Sequence, residues 1–245
     1  MQTVITMAGL GSRFREAGYD MPKYEIQAHG KSLFAWSMES LEGFYSPGDR
    51  YFFIVRAEDN AGEFIMSEWR KMGRDTGSIK IIELSGPTDG QATTAMKAAS
   101  FWDRNDALLI YNIDTYVKSG CMRSEDIEGD GFIPCFKAPG DHWSFVAVDE
   151  TGNATEVREK QRISDNCTLG AYYFRSCALY EELYESYYSG SANLEKGEKY
   201  VAPLYNHMIG LNMTVRISIV PTDCVHVLGT PAELKEFEKL PPGKI

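Results

Sequence analysis

The sequence predicts an α/β domain built as a three-layer α/β/α sandwich, with a mixed but mostly parallel central sheet. Three observations carry this. Short, apolar, β-branched runs alternate with helical stretches four times in the first half of the chain. Alternation of this kind gives parallel strands whose crossover helices cover both faces of the sheet. The length of 245 residues, with 43% hydrophobic and 24% charged side chains, suits one large soluble core.

Taken in order, Thr3 to Met7 reads as a buried strand that runs into glycines. Leu33, Phe34, Met38 and Leu41 repeat at helical spacing, with Ser32 placed to cap that helix. Tyr51 to Val55 is a second strand, Glu58 to Met72 a helix and Ile79 to Leu84 a third strand. Gln91 to Trp102 is an Ala- and Met-rich helix, and Ala107 to Tyr111 is a fourth strand leading into Asn112-Ile113-Asp114. The second half carries strands at Gly131 to Lys137, Ser144 to Val148, Ala154 to Glu159 and Leu169 to Phe174, with fewer helices between them. Helices return at Ala178 to Tyr188, Val201 to Ile209 and Pro231 to Leu240, and the polar stretch Ser189 to Lys199 reads as a mobile loop. A single domain over residues 1–245 is expected, divided into halves at 1–118 and 119–245.

Composition excludes several classes. The formal net charge is −10, so a basic footprint for nucleic acid is lacking. Cys121, Cys135, Cys167, Cys177 and Cys224 are odd in number and show no C-x-x-C spacing, so free thiols in a reducing cytoplasm are expected. The first cation is Arg13, which leaves no basic start for a signal peptide, and no apolar run reaches the roughly 20 residues of a spanning helix. No membrane partner is expected.

In parallel sheets ligands sit beyond the carboxyl ends of the strands. That rule puts Gly9 to Arg13, Ser85 to Gln91 and Asp114 along one rim. The segment Met7-Ala8-Gly9-Leu10-Gly11-Ser12-Arg13-Phe14 follows the first strand, where glycines let backbone N–H groups approach phosphate. Phe14 removes the ending of a dinucleotide fingerprint, and no G-K-[ST] follows Gly11 to make a P-loop. Taken alone, the loop also fits a tight strand-to-helix turn. Downstream stand Met21-Pro22-Lys23 and Gly30-Lys31.

Gly9-x-Gly11-x-Arg13 followed by Pro22-Lys23 and Gly30-Lys31 resembles the signature of the sugar-phosphate nucleotidyltransferases. Small members include glucose-1-phosphate thymidylyl-, cytidylyl- and uridylyltransferases and phosphocholine cytidylyltransferases. The resemblance implies a Rossmann-like, GT-A-like fold, with residues 1–118 binding nucleotide and 119–245 binding the acceptor. It implies that Arg13 stabilises charge on the transferred and leaving phosphates, and that Lys23 neutralises the attacking phosphate and the α-phosphoryl group. Ala8, Gly9, Gly11, Ser12 and Asn112 would line the nucleotide, and Ser85, Gly90 and Gln91 the base. Asp114 would hold Mg²⁺. Glu159-Lys160, Gly170 and Tyr172 match an acceptor-binding element, although Leu169 replaces its usual polar residue. In relatives the aromatic stretch Tyr200 to Asn206, which includes Tyr205, lies near the acceptor, although the stretch fits a core helix equally well. Gly229-Thr230-Pro231 resembles a D-x-G-T-P element whose metal-binding aspartate is missing, because Val227 stands there. Asp223 or His226 could substitute, which spacing alone does not show, and one metal held by Asp114 and the triphosphate is the expectation.

The chemistry suits these residue types. The acceptor is already a phosphate anion, so no general base is needed. Positioned cations, backbone donors and a metal must instead bring two anions together in line. The expected activity moves NMP from CTP, UTP or dTTP to a small phosphorylated acceptor, a sugar 1-phosphate, giving an NDP-sugar and pyrophosphate. The matches run in order from Gly9 to Pro231 with no further module after them, which implies a single-activity enzyme, monomeric or homodimeric, of the kind associated with capsule polysaccharide.

Three alternatives stay open. The first is a cytidylyltransferase for phosphocholine, with Trp143, Tyr172, Tyr173 and Tyr205 as a cage for a quaternary ammonium. The second is a glycosyltransferase, against which Asp114-Thr115-Tyr116 lacks the second aspartate of D-x-D. The third is a non-catalytic nucleotide-binding module.

Overall fold

Apolar side chains alternate along the first strands, and each set meets its own helix layer. The computed structural model describes residues 1–190, 193–195 and 197–245; positions 191, 192 and 196 of the expected mobile loop lie outside the described residues. In chain order the strands are β1 (Gln2–Thr6), β2 (Gln27–Ala28), β3 (Lys31–Ser32), β4 (Arg50–Arg56), β5 (Ile79–Leu84), β6 (Leu108–Asn112) and β7 (Thr115–Val117). They continue as β8 (Gly131–Lys137), β9 (Ser144–Val148), β10 (Ala154–Glu159), β11 (Asn166–Thr168), β12 (Ala171–Phe174), β13 (Val215–Ile219) and β14 (Val225–Val227). The helices are α1 (Ser12–Glu16), α2 (Leu33–Glu39), α3 (Gly62–Lys71), α4 (Gln91–Met96), α5 (Cys177–Tyr187), α6 (Ala202–Gly210) and α7 (Pro231–Glu238).

One ten-stranded mixed sheet runs β10-β9-β11-β8-β12-β6-β1-β4-β5, with β13 paired to β8. The run β6-β1-β4-β5 is parallel, and β12 joins it antiparallel to β6. Parallel pairing therefore dominates the first half, and the second half is largely antiparallel. Val4, Phe52, Leu108 and Ile110 face α4, α5 and α6. Ile5, Phe53, Val55 and Leu109 face α2 and α3. These two cores are the outer seams of the expected sandwich. A third cluster joins Phe14, Trp36, Leu228, Leu234 and Phe237, and seats α7 behind the opening loop.

Several boundaries shift for local reasons. Ser32 caps α2 as expected, accepting from the Ala35 N–H at 3.1 Å. The helix expected from Glu58 begins only at Gly62, because Asn60 takes a left-handed conformation at φ 48°. The helix expected to reach Trp102 ends at Met96 and continues as three-residue turns. The strand expected over Leu169 to Phe174 breaks at Gly170, whose φ is +75°. Strands β2, β3, β7, β11, β13 and β14 were not foreseen; all but β13 have two or three residues, too few to show a period, and the apolar–polar alternation of β13 is a strand signal that was not read.

The expectation of five free thiols is corrected. Pairing of β14 with β7 sets Val225 opposite Val117 and brings Cys121 and Cys224 into a disulfide across 103 positions of sequence. Sequence spacing carries no trace of that register. Cys135, Cys167 and Cys177 remain free and buried. Among the described residues no helix is long and apolar enough to cross a membrane.

Candidate active site

The carboxyl ends of β1 and β6 open into a cleft of about 780 Å³. Its floor and walls come from both halves of the sheet. After β1 the chain turns through Gly11, whose φ of +63° suits glycine, into α1. Buried Phe14 anchors that turn in the third core, so Ala8, Gly9, Gly11, Ser12 and Arg13 line the cleft. Arg13 is exposed and forms no ion pair among the described residues.

Lys23 is aimed by its neighbours. Pro22 is extended, and a single 3₁₀ turn over Lys23–Glu25 follows. Tyr24 enters the core and donates to Asp59 at 3.2 Å, and Asp59 is itself held by buried Arg56. This leaves Lys23 in the cleft, where its Nζ lies 3.0 Å from Asp114 Oδ2. Asp114 stands two residues beyond the end of β6, and its carbonyl accepts from Leu228 N–H at 2.8 Å.

On the next side the β5–α4 loop contributes Pro87, Thr88, Gly90 and Gln91. Gln91 donates to the side-chain oxygen of Asn112 and, at 3.4 Å, to Thr6. Asn112 is pressed against Gly170, where a Cβ would meet its Nδ2 at 2.5 Å. Glycine at 170 is therefore required twice, by its positive φ and by this close approach. The loop is pinned to the second half of the chain. Lys199 N–H donates to Asp89 at 2.7 Å, and the Lys199 ammonium pairs with the Asp89 carboxylate at 2.8 Å. Burial raises the Asp89 carboxyl, but hydrogen bonds from Lys199 and Thr93 outweigh that and hold it below the usual range.

The opposite wall is formed by His142, Trp143, Ser144, Glu159, Lys160, Thr168, Tyr172, Glu198 and Tyr200. Lys160 stands in the left-handed region at φ 53°, an uncommon conformation for a residue with a side chain. Its Nζ donates to Tyr200 at 2.8 Å and lies 3.5 Å from Glu159. Burial pulls the Lys160 ammonium down, but the Tyr200 hydroxyl and the Glu159 carboxylate outweigh it and hold the lysine above its ordinary value. Glu159 in turn accepts from Ser144.

The structure thus gathers Ala8, Gly9, Gly11, Ser12, Arg13, Lys23, Gly90, Gln91, Asn112, Asp114, Glu159, Lys160, Gly170 and Tyr172 around one cleft. Three expected residues stand elsewhere. Ser85 is exposed outside the cleft wall, because the loop turns inward only from Pro87. Tyr205 is fully buried, donates to the Tyr173 carbonyl at 2.8 Å and stacks on Phe174. Asp223 sits in an exposed 3₁₀ turn before β14, at the end of that strand remote from Val227, which does line the cleft. His226, the other substitute considered, packs between Tyr116 and Phe237. Of the proposed aromatic cage, Trp143 and Tyr172 line the cleft, and Tyr173 and Tyr205 do not.

Sequence reasoning missed His142, Glu198 and Glu233, and it named the segments that hold Thr88 and Tyr200 without singling those residues out. Only Glu233 carried a readable signal: Thr230-Pro231-Ala232-Glu233 has the T-x-x-E form of a helix-capping box.

No family model matches the chain, and no curated protein matches it. Solved structures do. A nucleoside-diphosphate-sugar pyrophosphorylase from Vibrio cholerae RC9 is 31% identical, with a TM-score of 0.89 over 98% of this chain and 100% of that one. The inositol-1-phosphate CTP transferase from T. maritima is 17% identical, with a TM-score of 0.76 over 97% and 93% of the two chains. A Bacillus anthracis protein assigned as a glucose-1-phosphate thymidylyltransferase and solved with sucrose is 14% identical, with a TM-score of 0.78 over 97% and 94%. The last two share the fold; the first is similar in sequence as well.

Proposed function

The chain belongs to the sugar-phosphate nucleotidyltransferases, and on that premise we propose that it moves NMP from a pyrimidine nucleoside triphosphate to a sugar 1-phosphate. One observation carries this reading. A glycine loop with Arg13, Lys23 and Asp114 faces Lys160 across a single cleft at the carboxyl ends of parallel strands. Residues 1–118 would bind the nucleotide and 119–245 the acceptor.

An acceptor phosphate oxygen forms a bond to the α-phosphorus as the bond to the bridging β-phosphate oxygen breaks, and pyrophosphate leaves. The attacking oxygen is already an anion, so no proton has to be removed. Positioned cations then supply the catalysis by neutralising charge that builds around the α-phosphorus. Arg13 would serve the leaving phosphates, and Lys23 the attacking phosphate. Lys160, Glu159 and Tyr200 would hold the acceptor's phosphate and hydroxyls, and Gln91, fixed on Asn112, would read the base.

Mg²⁺ fits this donor set. Asp114 presents a carboxylate to the cleft, and a buried carboxylate oxygen of Glu233 there has no hydrogen-bond partner among the described residues. Such hard oxygen ligands, completed by triphosphate oxygens, suit this cation. When bound it would neutralise charge on the phosphates. Asp114 would hold it.

A second reading is cytidylyl transfer to phosphocholine, favoured by Trp143, Tyr172 and Tyr200 lining the same cleft. The Lys160 ammonium donates to the Tyr200 hydroxyl at 2.8 Å and lies 4.7 Å from the ring centroid, so a cation already stands at that ring, which favours a hydroxylated anion over a quaternary ammonium. A cytoplasmic location, where nucleoside triphosphates are supplied, and use of the product in capsule polysaccharide belong to the same proposal.

Pyrophosphate release across CTP, UTP, dTTP, ATP and GTP, each with glucose 1-phosphate and other sugar 1-phosphates or with phosphocholine, tests it. Release with sugar 1-phosphates and a pyrimidine triphosphate supports the first reading. Release with phosphocholine alone replaces it by the second, and release with no pair overturns both.

A further inference from the structure

We propose that Glu233 is the second carboxylate of the divalent-cation site, opposite Asp114; the proposal rests on the nucleotidyl-transfer reading above. Glu233 occupies the third position of α7, after the Thr230 cap, whose hydroxyl accepts from the Glu233 N–H at 3.2 Å. In a capping box a glutamate here reaches back to the amide of the cap residue. Glu233 makes no such bond. It lines the cleft instead, and its Oε2 is buried with no partner among the described residues.

Its direction is defined by Gly229. A Cβ at Gly229 would lie 3.5 Å from Asp114 Oδ2 and 3.6 Å from Glu233 Oε2. The two carboxylate oxygens therefore converge on one small space, kept open by the missing side chain. Gly229 has neither a positive φ nor a hard clash to require glycine, so the space is what its glycine provides. The backbone on both sides is fixed: Leu228 N–H donates to the Asp114 carbonyl at 2.8 Å, and Pro231 starts α7.

The electrostatics point the same way. Lys23 satisfies Asp114, and no cation pairs with Glu233 among the described residues. A buried carboxylate oxygen with no donor is costly. A divalent cation between the two carboxylates would satisfy the orphan oxygen, with phosphate oxygens and water completing the shell. Val227 is apolar and Asp223 lies outside the cleft, so this carboxylate comes from the helix and not from the strand before it.

Mn²⁺ binding, read by paramagnetic resonance and by titration calorimetry in the presence of inorganic pyrophosphate, tests the assignment without turnover. Wild type, Glu233→Gln, Glu233→Asp and Asp114→Asn are compared, with melting temperature as the folding control. The proposal expects E233Q to weaken Mn²⁺ at least tenfold with an unchanged melting temperature, and E233D to keep measurable binding. Wild-type Mn²⁺ affinity in both E233Q and E233D, with loss in D114N, overturns the role of Glu233 and leaves the functional reading standing. An absence of Mn²⁺ binding in wild type overturns the cation site in both. If E233Q does not fold, Glu233→Ala takes its place in the same comparison.

Discussion

Replacing Lys23 by alanine separates its two roles by magnitude. In the unliganded protein its ammonium sits 3.0 Å from Asp114, with the two side chains 19% and 34% exposed. A pair so open to water is worth about 0–1 kcal/mol to folding. For a chain of this size about 1 kcal/mol moves Tm by roughly 2–4 °C, so Lys23→Ala lowers Tm by no more than about 4 °C. A preorganised cation aimed at charge that builds only in the transition state contributes more, about 2.7–4 kcal/mol, or 10²- to 10³-fold in kcat. Steady-state pyrophosphate release at saturating substrates measures that loss, and thermal melting measures the first. Metal binding supplies a further sign. Lys23 competes with a cation for the Asp114 carboxylate, so its removal leaves Mn²⁺ affinity unchanged or increased. Turnover within threefold of wild type would refute the role given to Lys23, and a fall in Mn²⁺ affinity would refute the competition.

Three further outcomes are expected. Gly170→Ala puts a side chain at φ +75° and 2.5 Å from Asn112, so it costs about 1–2 kcal/mol of backbone strain and displaces a cleft residue; kcat/KM falls on the order of 10²-fold, and wild-type kinetics would show that Asn112 is not a site residue. The Cys121–Cys224 bond closes a loop of 103 positions, worth about 4–5 kcal/mol of chain entropy, so reductant lowers the Tm of wild type and leaves Cys121→Ser unmoved; equal melting with and without reductant contradicts this. Burial, followed by the Lys118 charge, depresses the His226 pKa below its usual 6.5. The unfolded chain then binds the proton more readily, so this stability is complete above about pH 6.5 and is lost as pH falls towards the depressed pKa. Melting curves across that window should slope in wild type and flatten in His226→Gln; identical slopes remove His226 as the cause.

How much was legible in the sequence depended on whether local chemistry alone decided the matter. The strands flanking Phe52 and Ile110 announce themselves because fully buried strands are continuous apolar runs. The Ser32 cap and the Gly9–Arg13 loop are likewise local. That Asp114 and Lys23 share one cleft was legible because motif order stands in for distance. Tyr205 was left between two readings because an aromatic helix start looks the same facing a cleft or a core; only the packing on Phe174 tells them apart. Glu198 was missed because the polar stretch before α6 has no periodicity to say which way it folds. Lys160 was found by motif, but its left-handed backbone was not.

The convergence of Asp114 with Glu233 has a stricter cause. Strand β7 pairs with β14 antiparallel, with Thr115 opposite Val227. Antiparallel counting then sets the residue before 115 opposite the residue after 227, which is the observed bond between Asp114 and Leu228. Gly229 and the first turn of α7 follow, so the register of a three-residue strand pair carries Glu233 to the cleft. A slip by one residue would reverse the faces of β14, turning a different side chain to the cleft in place of Val227. The disulfide between Cys121 and Cys224 lies at the other end of the same pair and opposes such a slip. A bond remote from the phosphates thereby helps to hold the two carboxylates over Gly229. Reduction is accordingly expected to loosen Mn²⁺ binding as well as to lower the melting temperature, whereas a purely global stabiliser would move only the second.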